Sequence, residues 1–571
     1  MHPLKIVVVG SVAAGTSVAA KARRNTETAK ITVYERDTDI SYSGCGLPYF
    51  VGGEIPEIDA LTPRDPAWFK ARYDVDVRTG HEVQAVDPAA RVVTVRDLTT
   101  GATFEDTYDE LVLSTGASGL IPTIPGVDLP GVFTVRNPSS ARAIRAWIEE
   151  HGVARAVVVG AGYIGLEMAE QLTRRGVAVT LVEAGPHVMP RMDADMSARV
   201  DAELRRHGVD LRLATRATAV DGDATRARAV QVDGPDGAAR VEADLVVVAV
   251  GVRPNLELAR QAGVRIGTTG AVWVDRHQRT SVEHVWAVGD VAESFDLVTG
   301  APTWVPLGST ANKTGRIAGD AITGGSLEHR GILGTSIVRV LGLTVAQTGL
   351  TETQAAAAGF DVEVLHNIKP DRPEHLGGRS MVIKAVADRG TGRLLGAQAV
   401  GPSGVDKRID VLATAITFGA DVADLFHLDL AYSPLYATTK DLVHYTGMAL
   451  DGAIHGKAPL ITPAELDRRR RAGERIQVVD VRSARDRARS FVDGSIHVPL
   501  DELRERAGEL DPTLVTVTFC NKGVTGNAGQ NVLRNLGFSQ VYNLSGGNQG
   551  YQVYVTAVLT GQRSTTEDER R

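Results

Sequence analysis

The residues best equipped for chemistry are Cys45 and Cys520, the only two cysteines in 571 residues. Cys45 lies in SYSGCGLPYF (41–50), between Gly44 and Gly46, with Pro48 and Tyr49 just beyond. Cys520 ends the apolar run TLVTVTFC and opens the loop CNKGVTGNAG. Their separation of 475 positions makes neither a disulfide framework nor a zinc-ligand spacing, so each is read as an individual thiol in a reducing compartment and no metal site is expected. An inert core cysteine belongs on an apolar face. The glycines, serines and proline around Cys45 instead suit a nucleophilic or redox-active thiol.

Two glycine patterns point to a partner for such a thiol. In KIVVVGSVAAGTSVAAKARR a strand-like run meets Gly10 and Gly15 and then a helical pattern. Backbone N–H groups at the helix start can face a pyrophosphate there. Val12 stands at the middle glycine position, but Glu35 closes the following strand 25 residues after Gly10, where its carboxylate can accept from ribose hydroxyls. RAVVVGAGYIGLEMAEQL carries the complete G-x-G-x-x-G at Gly160, Gly162 and Gly165, and Glu183 ends the next strand. Two dinucleotide cradles in one chain imply an electron donor and a resident acceptor.

These residues need several folded units to position them. The length allows about three to five domains. The first 325 residues alternate Val/Ile/Leu runs with Ala- and Arg-rich helical patterns, a doubly wound α/β signature. From 330 to about 450, SIVRVLGLTVAQTGL, SMVIKAVAD and LLGAQAVG predict an antiparallel sheet followed by a helix over DKRIDVLATAITFGA. Beyond the connector DGAIHGKAPL, RIQVVDVRS and TLVTVTFC predict a fourth, small α/β unit. The charged end GQRSTTEDERR is expected to fray. A net charge of −7 gives no reason to expect nucleic acid or an anionic membrane as partner. The start MHPLKIVVVG has no signal-peptide pattern and no stretch reaches the length of a membrane span, so a cytoplasmic protein is expected.

LVLSTGAS (111–118), LVVVAVGVRPN (245–255) and HVWAVGDVAE (284–293), with the two cradles, resemble the FAD-dependent pyridine nucleotide-disulfide reductases over residues 1 to about 450. The resemblance implies FAD on the first cradle, with Thr115, Gly116, Gly251, Gly289 and Asp290 at the cofactor, and a nicotinamide nucleotide on the second. It implies domains at 1–113 with 247–325 for FAD, 114–246 for NAD(P)H, 326–450 for dimerisation and 459–565 for the C-terminal unit. Dithiol members carry a second cysteine five residues from the first, whereas positions 46 to 519 hold none here. CGLPY resembles the single-cysteine branch of CoA-disulfide reductases and NADH-dependent persulfide reductases. In that branch the cysteine lies against the flavin at a helix start, where dipole and flavin favour thiolate. AYSPLYATTKD (431–441) resembles the segment whose first tyrosine reaches across a homodimer to the partner chain's cysteine. This makes Tyr432 a candidate proton donor with Tyr436 and Lys440 nearby; interface packing of the tyrosines is the alternative. Ser17, Arg24 and Ser41 are the corresponding candidate substrate contacts, although an exposed helix arginine has the simpler surface role. Gly44 replaces the asparagine of CoA-using members, and HNIKPDRPEHLGGRS lacks their Tyr-Tyr-Pro-Gly stretch. The acceptor therefore stays open among CoA and other small disulfides, persulfides, polysulfides and trisulfides.

IQVVDVRSARDRARSFVDGSIHVPLDEL, the Cys520 loop and NLSGGNQGY resemble a rhodanese domain. Asp480, Arg482, Gly494, Ile496 and Pro499 fit its first half. The loop from Cys520 to Thr525 is expected to aim N–H groups at sulfur. An arginine commonly closes such loops, but Thr525 stands there and Lys522 is the only cation within, which weakens the case for an anionic donor such as thiosulfate. Cys520 is read as a carrier of sulfane sulfur, with a docking or regulatory module as the alternative.

The sequence thus predicts an FAD-dependent NAD(P)H:disulfide or persulfide reductase working through a Cys45 mixed disulfide. The alternative is an NADH oxidase or peroxidase using a Cys45 sulfenic acid, with the rhodanese domain regulatory. Glu183 repels a 2′-phosphate and no Arg or Lys directly follows it, so NADH is the expected donor. The KM for NADPH is expected to exceed that for NADH in steady-state assays; a clear NADPH preference contradicts this reading.

Overall fold

The computed structural model describes residues 2–559, so the expected frayed tail lies outside the described residues. The chain divides into two compact units, one of residues up to 182 with 216–233 and 238–334, the other of 183–215, 234–237 and 335 onward.

The first unit holds two parallel sheets. In one, the strands Val285–Ala287, Glu110–Leu113, Lys5–Val9, Lys30–Tyr34 and Asp76–Arg78 lie side by side in that order, all parallel. The central strand KIVVV is buried along nearly its whole length. Its alternate residues enter two different cores, Val7 and Val9 on one face, Ile6 and Val8 on the other. This is why an unbroken apolar run, rather than an alternating one, marks the strand in the sequence. In the other sheet Ala178–Val182, Arg155–Val159, Leu245–Val248 and Val132–Phe133 follow the same logic. Each central strand runs into a glycine turn and a helix, Ala13–Asn25 in one case and Tyr163–Arg174 in the other.

The second unit contains a five-stranded antiparallel sheet in the order Ser336–Val340, Leu343–Gly349, Leu394–Gly401, Ser380–Asp388, Val362–Pro370. The helix Val405–Thr417 follows it, as the periodicity of DKRIDVLATAITFGA predicts. The same unit contains a five-stranded parallel sheet in the order Leu460–Ile461, Val541–Leu544, Val515–Phe519, Ile476–Asp480, Ile496–His497. The architecture is therefore two Rossmann-like α/β sheets, an α+β dimerisation-type sheet and a rhodanese-like α/β sheet.

A buried charge cluster pins parts of the second unit together. Lys384, 1 % exposed, contacts Asp193 at 3.1 Å, Asp195 at 2.9 Å and Glu352 at 2.7 Å. His366 lies between Asp195 and Ser545, and Asp193 exchanges hydrogen bonds with Gln398. Although burial opposes its ionisation, the Lys384 and His366 charges hold the Asp195 carboxyl well below the ordinary carboxylate range. Because that folded pKa is depressed, its stabilisation is complete above about pH 4 and is lost as pH falls toward the folded value. Lys384→Met leaves three carboxylates without their cation and is expected to destabilise this unit by about 3–5 kcal/mol. Thermal unfolding at neutral pH, followed by calorimetry, reads this as a lowered transition; an unchanged transition contradicts it.

Candidate active site

The first cradle closes because two glycines lack side chains. Gly10 adopts φ +102°, and a Cβ on Gly15 would lie 1.9 Å from the Gly10 carbonyl oxygen. Ser114 Oγ braces the turn, 2.7 Å from the Val9 oxygen and 3.0 Å from that of Gly10. Val12 is the N-cap of the helix Ala13–Asn25. Glu35 is 9 % exposed, and its carboxylate accepts from the Ser11 N–H and Oγ–H, both at 2.9 Å, and from the Asp37 N–H at 3.0 Å. These bonds fix the carboxylate at the mouth of the turn.

Asp290 follows Gly289 (φ +72°) in the short turn Gly289–Val291. Burial raises its pKa against the opposing charge of Arg136. Arg136 itself is pushed down by desolvation, with Tyr42, Asp290 and Glu35 acting in the other direction. Burial lifts the Tyr42 phenol to about 12. Arg136 and Tyr42 thus share the neighbourhood of Glu35 and Asp290. Thr115 Oγ1 donates to the Asn255 oxygen at 2.9 Å, Asn255 Nδ2 returns a bond to the Thr115 oxygen at 2.7 Å, and Gly116 and Gly251 both have positive φ. These two crossing segments are thereby clamped to each other.

The second cradle repeats the first. A Cβ on Gly165 would lie 1.9 Å from the Gly160 oxygen, whereas one on Gly162 would meet nothing within 4 Å, leaving room for a ligand to approach the backbone. Glu183 directly follows the strand Ala178–Val182 and accepts from the Gly185 N–H at 2.7 Å.

Cys45 is exposed in the single turn Gly44–Gly46 that leads into the helix Leu47–Gly52. That helix packs on Tyr163–Arg174 of the second cradle, and Tyr49 Oη donates to Glu167 Oε1 at 3.1 Å. The thiol loop is therefore locked to the element that presents the second nucleotide site. Burial of its inner side pushes the Cys45 thiol up, and the Glu167 and Asp290 carboxylates push the same way.

The remaining sequence candidates divide. Ser17 Oγ lies 2.7 Å from the Ala13 oxygen and 2.8 Å from Asn312 Oδ1, and Ser41 adopts φ +49° with its N–H donating to the Ser11 oxygen. Arg24 is exposed and donates to Tyr73 Oη at 2.7 Å. Tyr432 and Tyr436 are exposed, at 52 % and 71 %. Lys440 Nζ lies 5.7 Å from the centroid of the Tyr445 ring. The sequence did not single out Arg136, Glu167, Lys369 or Tyr445. Glu167 lies in the stretch RAVVVGAGYIGLEMAEQL and Lys369 in HNIKPDRPEHLGGRS, but neither holds a motif position; Arg136 and Tyr445 lie outside every motif, and Tyr42 and Tyr49 lie within the Cys45 loop.

Cys520 is buried at the C-terminal end of the strand Val515–Phe519, where ligands gather in parallel sheets. The Gly523 N–H donates to its Sγ at 3.1 Å, and the Asn548 N–H donates to its carbonyl at 2.7 Å. Buried Asp480 and Arg482 pair at 2.8 Å, and Arg482 Nη1 donates to Asn521 Oδ1 at 2.9 Å, steadying the residue beside the cysteine. Lys522 Nζ donates to Ser380 Oγ at 2.9 Å, and Thr525 is exposed in the first turn of the helix Val524–Asn535.

Residues 4–303 match the family model described as pyridine nucleotide-disulphide oxidoreductase. The chain belongs to this family. Residues 335–442 match its dimerisation domain and 462–553 a rhodanese-like domain. The chain is 40% identical over 443 residues to the NAD(P)H sulfur oxidoreductase (CoA-dependent) of Pyrococcus furiosus, covering 77% of this chain and 98% of that one. It superimposes on reduced Bacillus anthracis CoADR-RHD with a TM-score of 0.93 at 35% identity, covering 98% and 99% of the two chains. A NAD-dependent persulfide reductase from A. fulgidus gives 0.87 at 37% identity, covering 96% and 100%. This chain is thus a flavin-dependent oxidoreductase, and its family implies FAD and NAD(P)H. Among the described residues no helix is long and apolar enough to cross a membrane, and no group of three or more His, Cys, Asp or Glu could hold a metal ion. The cradles fit the dinucleotides: each has the contact between backbone atoms that only glycine permits. Gly15→Ala is expected to weaken FAD binding by about tenfold or more, ~1.4 kcal/mol, read from the flavin content of the purified protein. Full flavin content contradicts it.

Proposed function

We propose that the protein uses NADH to reduce the S–S bond of a small disulfide, persulfide or polysulfide through Cys45, with Cys520 handling sulfane sulfur. The observation that carries this reading is the position of Cys45: an exposed thiol in a glycine turn, fixed to the second cradle's helix, with no second cysteine before Cys520.

Gly10, Val12, Gly15, Glu35, Thr115, Gly116, Gly251, Gly289 and Asp290 would hold FAD, with residues 1–113 and 247–325 as its domain. Gly160, Gly162, Gly165 and Glu183 in 114–246 would hold NADH, the carboxylate disfavouring NADPH. Bound FAD supplies the two-electron connection between NADH and sulfur. Cys45, as thiolate, attacks one sulfur of R–S–S–R′. The S–S bond breaks, R′S⁻ leaves with the bonding electrons and takes up a proton, and a Cys45–S–S–R mixed disulfide remains. Two further electrons return Cys45 and release RS⁻. With R–S–SH the leaving group is sulfide or the thiol, depending on which sulfur is attacked. One protein thiol suffices because the substrate brings the other sulfur.

Burial pushes the Cys45 thiol up, and the Glu167 and Asp290 carboxylates add to this. Tyr432 of a homodimer partner, assembled through residues 326–450, is the proposed acid for the leaving thiolate, and Ser17, Arg24, Ser41 and Tyr436 the proposed substrate contacts. The rhodanese-like domain over 459–565 supports sulfur chemistry over an oxidase that sends electrons to O₂. The similarity to a CoA-dependent sulfur oxidoreductase makes CoA persulfide and CoA disulfide the first acceptors to test.

Cys45→Ser is expected to retain flavin and to abolish anaerobic NADH oxidation with every disulfide or persulfide acceptor. Full turnover by that variant removes Cys45 from the mechanism.

A further inference from the structure

The Cys520 loop carries Thr525 where an arginine would close it, yet positive charge reaches its surroundings from outside the loop. Lys522 Nζ donates to Ser380 Oγ at 2.9 Å. Ser380 opens the strand Ser380–Asp388 opposite Pro370, and the next pair in register is Met381 with Lys369. Lys369, the last residue but one of its strand Val362–Pro370, therefore lies one register step from the residue that Lys522 contacts. Lys369 Nζ lies 3.6 Å from the centroid of the Tyr445 ring and Lys440 Nζ 5.7 Å from the same centroid. Tyr445 is itself fixed: its helix, Leu442–Ile454, is capped by Asp441, and Asn367 Nδ2 on the Lys369 strand donates to the Leu442 oxygen and Thr446 Oγ1.

Among the described residues none of these three ammonium groups pairs with a carboxylate. Partial burial pushes Lys369 down, and the charges of Lys522 and Lys440 add to this, while Cys520 acts in the opposite sense. The three cations and the sulfur thus lie in one electrostatic neighbourhood. Held there, the cations repel one another and gain little for folding; an anion among them reverses that balance.

We propose that Lys369, Lys440 and Lys522 anchor the anionic part of a sulfane-sulfur donor whose outer sulfur is delivered to Cys520. This rests on the reading of Cys520 as a sulfane acceptor. It runs against the expectation that loss of the loop arginine disfavours anionic donors, because Lys369 on the antiparallel sheet and Lys440 add their charge to that of Lys522. In the transfer step the Cys520 thiolate attacks the outer sulfur and the donor's S–S bond breaks. Sulfite, from thiosulfate, or a thiolate that takes up a proton, from an organic persulfide, leaves with the bonding electrons. Cys520–S–S⁻ remains, with no net oxidation. The shared chemistry of the ligand is sulfane sulfur on an anionic carrier, either inorganic or a phosphate-bearing thiol.

The test is sulfur loading of Cys520, read by intact-protein and peptide mass spectrometry on the full-length holoenzyme, anaerobically and without NADH. Donors are thiosulfate, CoA persulfide and 2-hydroxyethyl persulfide, whose carrier is uncharged. Lys369→Met and Lys522→Met are each expected to raise the half-loading concentration about tenfold for an anionic carrier, to leave the hydroxyethyl donor within about twofold, and to be rescued by Lys369→Arg at the first site. The carrier that shows the loss, thiosulfate or CoA persulfide, identifies the source. Equal losses for all three donors, or no loss for any, overturn the anchor alone. Failure of every donor to load the unmodified chain overturns the sulfane-acceptor reading and the anchor with it.

Discussion

The architecture depends on a contact no side chain could share: the carbonyl oxygens of Gly10 and Gly160 occupy the positions where Cβ atoms of Gly15 and Gly165 would stand. That contact lets a strand turn directly into a helix and leaves backbone N–H groups facing outward, ready for a pyrophosphate. Two such turns lie in one unit, each leading into a helix. Everything else in that unit is placed relative to them: Glu35 and Asp290 at the first, and the Cys45 helix packed on the helix of the second.

The Cys45 loop is joined to the second of these turns through the helix Leu47–Gly52. Partial burial and the Glu167 and Asp290 carboxylates push the pKa of its thiol up. Cys520 is handled differently. It is buried, it accepts an N–H at its sulfur, and its loop is tied to the Asp480–Arg482 pair and to the antiparallel sheet through Lys522.

Much of this was legible in the chain before any coordinates. Both cradles, the Cys45 turn and the Cys520 loop announce themselves because their chemistry needs glycine or cysteine at fixed spacing, and buried parallel strands need unbroken apolar runs. What stayed hidden depends on distant residues meeting. Lys384 finds Asp193 and Asp195 across about 190 positions, and Lys369 shares the Tyr445 ring with Lys440 and lies one register step from the strand position Ser380 that Lys522 contacts. Arg136 carries no motif and is recognised only by the carboxylates around it. Glu167, whose carboxylate adds to the effect of burial on the Cys45 thiol, lies 122 positions away in sequence.

The central claim is that Cys45 works as a single thiol whose sulfur partner comes from the substrate. The most direct measurement is peptide mass spectrometry of the enzyme after anaerobic reduction with one equivalent of NADH, mixing with a small symmetric disulfide and acid quench. The account predicts the Cys45 peptide carrying one half of that disulfide. Substrate reduction with Cys45 unmodified, or bearing only oxygen, would contradict it.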